Sequence, residues 1–589
     1  MKLPKAVYAG IHLQKSGFYI ACLVNRKRFD VAEHVPIGTD IVASVMSWLR
    51  DYERTRDANF IGAGISGHGS KAKLRSKLWL DMDIVPIFTR PIGIPPLEMA
   101  KKSALTVSGM FDRYNALPAK TLKSNGVRVF PLSRLENFEA ITPPAEFRKL
   151  LELAEDFEGK RLMFVSATPQ GGGVALMRHA LMRLFKLVKV NAHWHVMQDD
   201  PEIFKITKTK FHNILQNVNS DKGITLEEAD RKKFLDWSRK NALRLKPHIK
   251  RSDVIVIDDP QPSGLTGYIK EYNPNAKIIY RSHIQLIASL ADAPDTPQHI
   301  SWQFIKENIR GHDVFVAHPI PEFVPLDVEH KKLVYMGATT DPLDGLNKDL
   351  PHDQIDYYTR MVNKILADSG QTPLDHARPY IIQIARFDPS KGIPDVIDAY
   401  HRLRIKLRKR NLAPPQLVIA GNGSVDDPDG VPIFDLIMEL LSSPKYKSLK
   451  KDTKVIRLPH YDQLLNTLLR KSTVCLQLSH KEGFEIKISE ALMKGIPTIV
   501  YNAGGMPLQV KDGEGGYVVN TGDTRAVAKH IYNLLTKKSL YLKMSHDARK
   551  NVSRDVLTVK NAIAWLWLAR ELVKKGKVEA NGKYAHQLT

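Results

Sequence analysis

The sequence predicts an α/β protein in which two doubly wound parallel sheets face a cleft, with a smaller α+β domain in front. Two observations carry this reading. From about 158 to 340, short apolar runs alternate with helical stretches: 161–167, 190–197, 253–257, 276–281 and 313–317. The same alternation returns from about 375 to 545, at 380–385, 415–420, 453–457, 474–477 and 498–501. Buried parallel strands read as continuous apolar runs, and repeated strand–helix units wind into a parallel sheet. The expected units are 1–150 as a leading domain, 158–370 and 371–545 as the paired α/β domains, and 546–589 as closing helices. In the leading domain, 8–24 reads as strand and 41–53 as helix, with 125–144 an irregular, proline-containing connection. The last helix, about Val559 to Lys574 with Trp565 and Trp567, is expected to pack back across the first α/β domain.

Composition narrows the class. A chain of 589 residues with 43% hydrophobic content can bury several cores. There is no apolar run of 18 residues, no signal peptide and no internal repeat, so a soluble cytoplasmic protein with no membrane partner is expected. Two cysteines, Cys22 and Cys475, exclude a disulfide framework and a cysteine-rich zinc site. The net charge of +24 raises nucleic acid as a partner. The densest basic run, 401–410, interleaves Leu403, Ile405 and Leu407, which makes it the solvated face of a helix. Basic charge also steers anionic substrates, and no nucleic-acid partner is expected.

Three segments carry chemistry. The first is Lys481 to Pro497, where Glu482, Gly483 and Phe484 precede a helical stretch containing Glu490, followed by a short strand. A helix N-terminus offers free amides and partial positive charge to an anion, and a carboxylate beside it can accept from sugar hydroxyls. Glutamates on a helix are ordinarily just solvated. Nor do these two fit a glycosidase acid/base pair, because eight residues of helix span about 12 Å against roughly 5 to 9.5 Å for such carboxyls. The second segment is Arg386-Phe387-Asp388-Pro389-Ser390-Lys391-Gly392, at the end of an apolar strand. Arg386 and Lys391 there offer a fork and a point charge to one phosphate. The third is Gly171-Gly172-Gly173, between an apolar strand and a helix, where the backbone can approach a ligand closely. It lacks the dinucleotide fingerprint spacing. No metal cluster is apparent, since the nearest histidine pair, His193 and His195, has no third ligand. No cofactor is expected.

The Glu482/Glu490 spacing resembles the donor-site signature of retaining glycosyltransferase family 4. The likeness sharpens along the chain. SATPQGGGVALMRHALMRL, ITKTKFHNILQ, IDDPQPSGL, IIYRSHIQL, GLNKDL, IIQIARFDPSKGIPDVIDAY, VDDPDG and EGFEIKISEALMKG resemble segments of fungal-type trehalose phosphorylases and the related trehalose synthases, in order from about 160 to 575. LWLDMDIVP, at Leu78 to Pro86, extends the likeness forward. Asn217 departs from it, standing where the family usually has glycine. The resemblance implies the twin-Rossmann glycosyltransferase architecture, GT-B. It also implies glucosyl transfer with retention between trehalose and phosphate, giving glucose 1-phosphate and glucose. Asp259 and His283 would lie beside the sugars, Arg386 and Lys391 at phosphate, with Gly171 to Gly173, Asn213, Glu482, Gly483, Phe484 and Glu490 binding substrate. A synthase using a nucleoside diphosphate glucose is the alternative; a non-catalytic basic protein on this fold is the other. If phosphate is used, the base pocket near Gly421 to Ser424 and the 425–430 loop has nothing to hold. A homodimer is among the assemblies the resemblance allows.

Overall fold

The computed structural model describes residues 3–36, 40–122, 124–218, 223–422 and 430–589. The expected 423–429 part of a base pocket therefore lies outside the described residues.

Both α/β domains are built on seven-stranded sheets. The first runs Lys583–Tyr584, Leu333–Tyr335, Val314–Ala317, Lys277–Arg281, Val254–Asp258, Leu162–Ser166, Ala192–Val196 in spatial order, all parallel. The second runs Thr453–Leu458, Gln416–Asn422, Tyr380–Ile384, Val474–Gln477, Thr498–Tyr501, Gly515–Val519, Lys511–Asp512, again parallel. Their central strands are apolar on both faces because helices cover both. The helices Gly173–Leu187 and Ile393–Arg408 begin directly after the two loops singled out in the sequence. The carboxyl ends of the central strands of both sheets therefore point their loops at one cleft. The closing helix Thr558–Lys575 buries Val559, Ile563, Trp565 and Leu572 in the core of the first sheet.

The leading domain is a five-stranded mixed sheet in the order Arg28–Pro36, Gly17–Val24, Lys5–Leu13, Ala58–Gly67, Val85–Phe88. The stretch read as one strand over 8–24 is a hairpin turning at 14–16. One face carries the helices Ile41–Arg56 and Lys71–Met82. On the other, Pro96–Ser108 lies so close that a Cβ on Gly10 would stand 1.8 Å from the Ala100 carbonyl oxygen. Residues 127–157 leave this sheet: Val129, Phe138, Phe147 and Leu150 are buried in the core of the first α/β domain.

LWLDMDIVP is where the leading domain is bolted to the rest. Asp83, in the left-handed conformation that ends Lys71–Met82, pairs with Lys348 at 2.7 Å and accepts from Tyr358 at 2.5 Å and from Gln463 at 3.2 Å. Trp79 donates to the Leu343 carbonyl at 2.8 Å, and Lys348 sits over its ring at 4.4 Å. These partners lie in the linker between the α/β domains, on the helix His352–Asp368 and on the helix Asp462–Arg470 of the second domain.

Candidate active site

A cavity of about 420 Å³ lies where the three domains meet, a size suited to a small ligand. Its walls come from the 170–173 loop, Asp258, Asp259, His283 and His318 of the first domain, Arg386, Lys391 and 481–487 of the second, and Trp79, Phe111 and Phe130 of the leading segment.

On the second-domain side, Gly392 is left-handed (φ 57°) and ends a turn that carries Lys391 inward. Lys391 is buried and its ammonium lies between two carboxylates, bonded to Glu482 and, at 3.2 Å, to Glu485. Burial alone would lower the lysine's pKa, but Glu482 and Glu485 outweigh it and raise it, so the ammonium stays charged. The two acids are driven apart. Burial and the neighbouring Glu485 push Glu482 up, whereas for Glu485 burial is overcome by Lys391 and Lys487, and its carboxyl is held low. Arg386 lines the same wall. Glu485 is a non-glycine residue at φ 59°, and Asp259, across the cavity, is another at φ 75°. Such backbone costs about 1–3 kcal/mol and persists where the surroundings over-determine it, commonly at sites of function.

The first-domain side is organised by Asp258, which nothing in the sequence alone singles out. Arg178, on the helix behind the glycine loop, grips its carboxylate with two bonds of 2.6 Å, with both side chains fully buried. The guanidinium carbon lies 4.4 Å from the Phe164 ring and 5.1 Å from that of Trp565 of the closing helix, two rings packed edge to face. Burial would raise Asp258, but Arg178 holds it well below the usual carboxylate range. Ionised Asp258 accepts from His283 Nε2 at 3.1 Å. That places the imidazole proton on Nε2 and leaves Nδ1 an acceptor. Burial lowers His283 to about 4, so the ring is neutral near pH 7. Asp259 accepts from the His283 amide at 2.9 Å, so the adjacent acids fix one histidine by ring and by backbone. The amides of Gly171, Gly172 and Gly173 donate to no group among the described residues, as expected at a helix start, and all three glycines border the cavity.

The two sides touch. Lys208, in ITKTKFHNILQ, pairs with Asp388 of the second domain at 2.6 Å, and Gln285 accepts from the Glu482 amide at 2.5 Å. Phe484 stacks on His318 at 5.6 Å between centroids. A Cβ on Gly483 would stand 2.5 Å from the His283 carbonyl oxygen. The Gly483→Ala variant is therefore expected to hold the domains apart and lower turnover at least about tenfold, the cost of an ångström-scale misplacement, with thermal stability little changed. Wild-type turnover in that variant would show that closure tolerates the methyl group.

Ten of the twelve residues expected at the site line this cavity: Asp259, His283, Arg386, Lys391, Gly171, Gly172, Gly173, Glu482, Gly483 and Phe484. Two do not. Asn213 is buried beneath the wall, while its neighbours Lys208, His212 and Gln216 reach the cavity. Glu490, on the short helix Lys487–Met493, is 2% exposed, paired with Lys487 at 2.7 Å and accepting from Thr340 at 2.9 Å. Lys208, Asp388, Asp258 and Arg178 carry no sequence signal, because each is defined by a partner 80 or more residues away.

The paired sheets and their cleft define a glycosyltransferase of the GT-B class. Residues 365–551 match the family model described as glycosyl transferases group 1. Residues 164–325 match that described as trehalose synthase, N-terminal domain, and 6–113 that described as trehalose phosphorylase-like, N-terminal domain. The chain belongs to the trehalose phosphorylase family: it is 38% identical to a trehalose phosphorylase of Pleurotus pulmonarius, over 93% of this chain and 84% of that one. A trehalose synthase of Pyrococcus horikoshii is 30% identical over 74% of this chain and 96% of its own. Among solved structures, an Escherichia coli protein described as trehalose-6-phosphate bound with UDP-2-fluoro glucose superposes with a TM-score of 0.52 at 15% identity. It covers 69% of this chain and 99% of that one, and shows the fold alone.

Proposed function

We propose that the protein is a retaining trehalose phosphorylase, converting trehalose and phosphate reversibly to α-glucose 1-phosphate and glucose. The observation that carries the reading is the facing of a charged Lys391, beside Arg386, against a neutral, oriented His283 across the cavity. One wall suits a phosphate and the other a sugar. The family relationship supports it.

In this reaction a phosphate oxygen bonds to the anomeric carbon as the bond to the second glucose breaks on the same face. The phosphate proton passes to the departing oxygen, so no protein nucleophile is needed. Lys391, Arg386 and the amides of the glycine loop stabilise the phosphate; a preorganised donor of this kind is worth about 3 kcal/mol. Glu482 accepts from hydroxyls of the transferred glucose, and His283, through Nδ1, accepts from another. The phosphate charge is met by side chains, so activity is expected to survive exhaustive chelation; a requirement for added Mg²⁺ or Mn²⁺ would overturn this account.

No described helix is long and apolar enough to cross a membrane. The reading places the enzyme in the cytoplasm, where its two free, buried cysteines stay reduced, and light scattering would check a homodimer. The reaction itself is tested by incubating purified protein with trehalose plus phosphate, and separately with trehalose plus a nucleoside diphosphate. α-Glucose 1-phosphate from the first mixture supports the reading; glucosyl transfer only to the nucleotide overturns it in favour of a synthase.

A further inference from the structure

The cavity has an arm that the reaction does not use. From Lys391 it continues over the carboxyl ends of strands Gln416–Asn422 and Thr453–Leu458, past Gly421, Asn422, His460 and Tyr461. A ligand whose terminal phosphate rests at Arg386 and Lys391 and which carries a nucleoside would have to extend this way, along the carboxyl edge of the sheet. In this chain the arm ends against the leading domain. Trp79, Val85 and Phe111 line it, and Trp79 and Phe111 share one buried apolar cluster with Tyr461, Leu458 and Ala420 of the second domain. The wall is anchored: Trp79 is held through its indole N–H, its carbonyl and its ring face by Leu343 and Lys348. Beneath the arm, Glu490 is already occupied by Lys487 and Thr340. Arg183, on the helix Gly173–Leu187, lies close enough to the buried acids Asp341, Asp344 and Asp462 to stabilise their charged forms. Among the described residues, Asn422 and His460 remain as polar groups along the arm, and the aromatic wall shortens the space for a base.

We propose that Trp79 and Phe111 of the leading domain are specificity-determining residues, reserving the site for inorganic phosphate by closing the arm that a nucleoside diphosphate would need. The inference rests on the phosphorylase reading. It is tested by assaying wild type, Trp79→Ala and Phe111→Ala for phosphorolysis and titrating each calorimetrically with inorganic phosphate, UDP and ADP. Wild type is expected to bind the nucleotides no more tightly than phosphate. Each truncation is expected to raise affinity for at least one nucleotide by about tenfold, with KM for phosphate within about twofold of wild type. Trp79→Leu and Phe111→Leu, which keep apolar packing while shortening the wall, carry the same test if the alanine variants do not fold. Folded, phosphorolytic variants with unchanged nucleotide affinity overturn the proposal and leave the phosphorylase reading standing. A wild type that fails to phosphorolyse trehalose and transfers glucose to UDP or ADP overturns both.

Discussion

Replacing Lys391 with alanine is expected to lower trehalose phosphorolysis by about 10²- to 10³-fold, the usual consequence of removing a preorganised donor from a developing charge. The structure adds a second effect. Lys391 is the cation that lets Glu482 and Glu485 sit together in a buried site, and like charges that close cannot both stay ionised without it. In the variant one of them takes up a proton at neutral pH, leaving the phosphate with less positive charge and the sugar with an altered acceptor. Steady-state kinetics across pH 5–9, beside a circular dichroism spectrum, would check both. The expected result is a folded protein with a low kcat and a displaced pH profile. Turnover at the wild-type level would remove Lys391 from the site. Arg386→Ala is expected to cost about 10²-fold or more by the same reasoning.

Asp258→Asn should have the largest effect on stability. It leaves Arg178 charged and fully buried with no counter-charge, a change that costs about 3–5 kcal/mol when one partner of a buried pair is lost. Denaturant titration reads that loss directly. The same change turns a carboxylate that accepts from His283 into an amide whose N–H₂ competes for the role of donor, so the imidazole loses the bond that fixes its tautomer. Loss of one such buried bond, about 1–3 kcal/mol, predicts a further tenfold to hundredfold fall in turnover. Arg178→Met combined with Asp258→Asn should recover part of the stability and none of the activity. A double variant as unstable as the single one would mean that the cost lies in packing rather than charge.

The strands of both parallel sheets were legible because two-sided burial writes itself as an unbroken apolar run, as in Tyr380–Ile384 or Val474–Gln477. Short strands such as Leu333–Tyr335 and its edge neighbour Lys583–Tyr584 were not, since two or three residues carry no period and are defined by the neighbours they pair with. The same contrast runs through the site. Arg386, Lys391 and the three glycines announce themselves because chemistry and spacing lie within one loop. Asp258 looks like a duplicate of Asp259 until Arg178 is seen behind it, and the positive φ of Asp259 leaves no mark on composition. Glu490 shows the reverse contrast: its spacing suggests a binding residue from sequence alone, while its pairing with Lys487, three residues earlier and one turn away on the same helix, shows only in three dimensions.

The grip of Asp83 on Lys348, Tyr358 and Gln463 governs how the enzyme can open. Any widening of the cleft to admit substrates or release products parts the bond between Lys208 and Asp388 and the stack of Phe484 on His318. The leading domain, fastened to the linker and to the second domain, would move with them as one body against the first domain, and the bonds from Arg75 to the Ser133 carbonyl at 2.7 Å and from Ser76 to Asn137 at 2.6 Å would have to part as well. The chain passes between these bodies near 112–126, near 336–341 and between the helices Lys538–Lys550 and Thr558–Lys575. Rotation is confined to three short crossings around a large moving mass, so opening is a slow hinge motion in the microsecond-to-millisecond range. Release of glucose and glucose 1-phosphate, more than bond exchange, is then the step that solvent viscosity should slow.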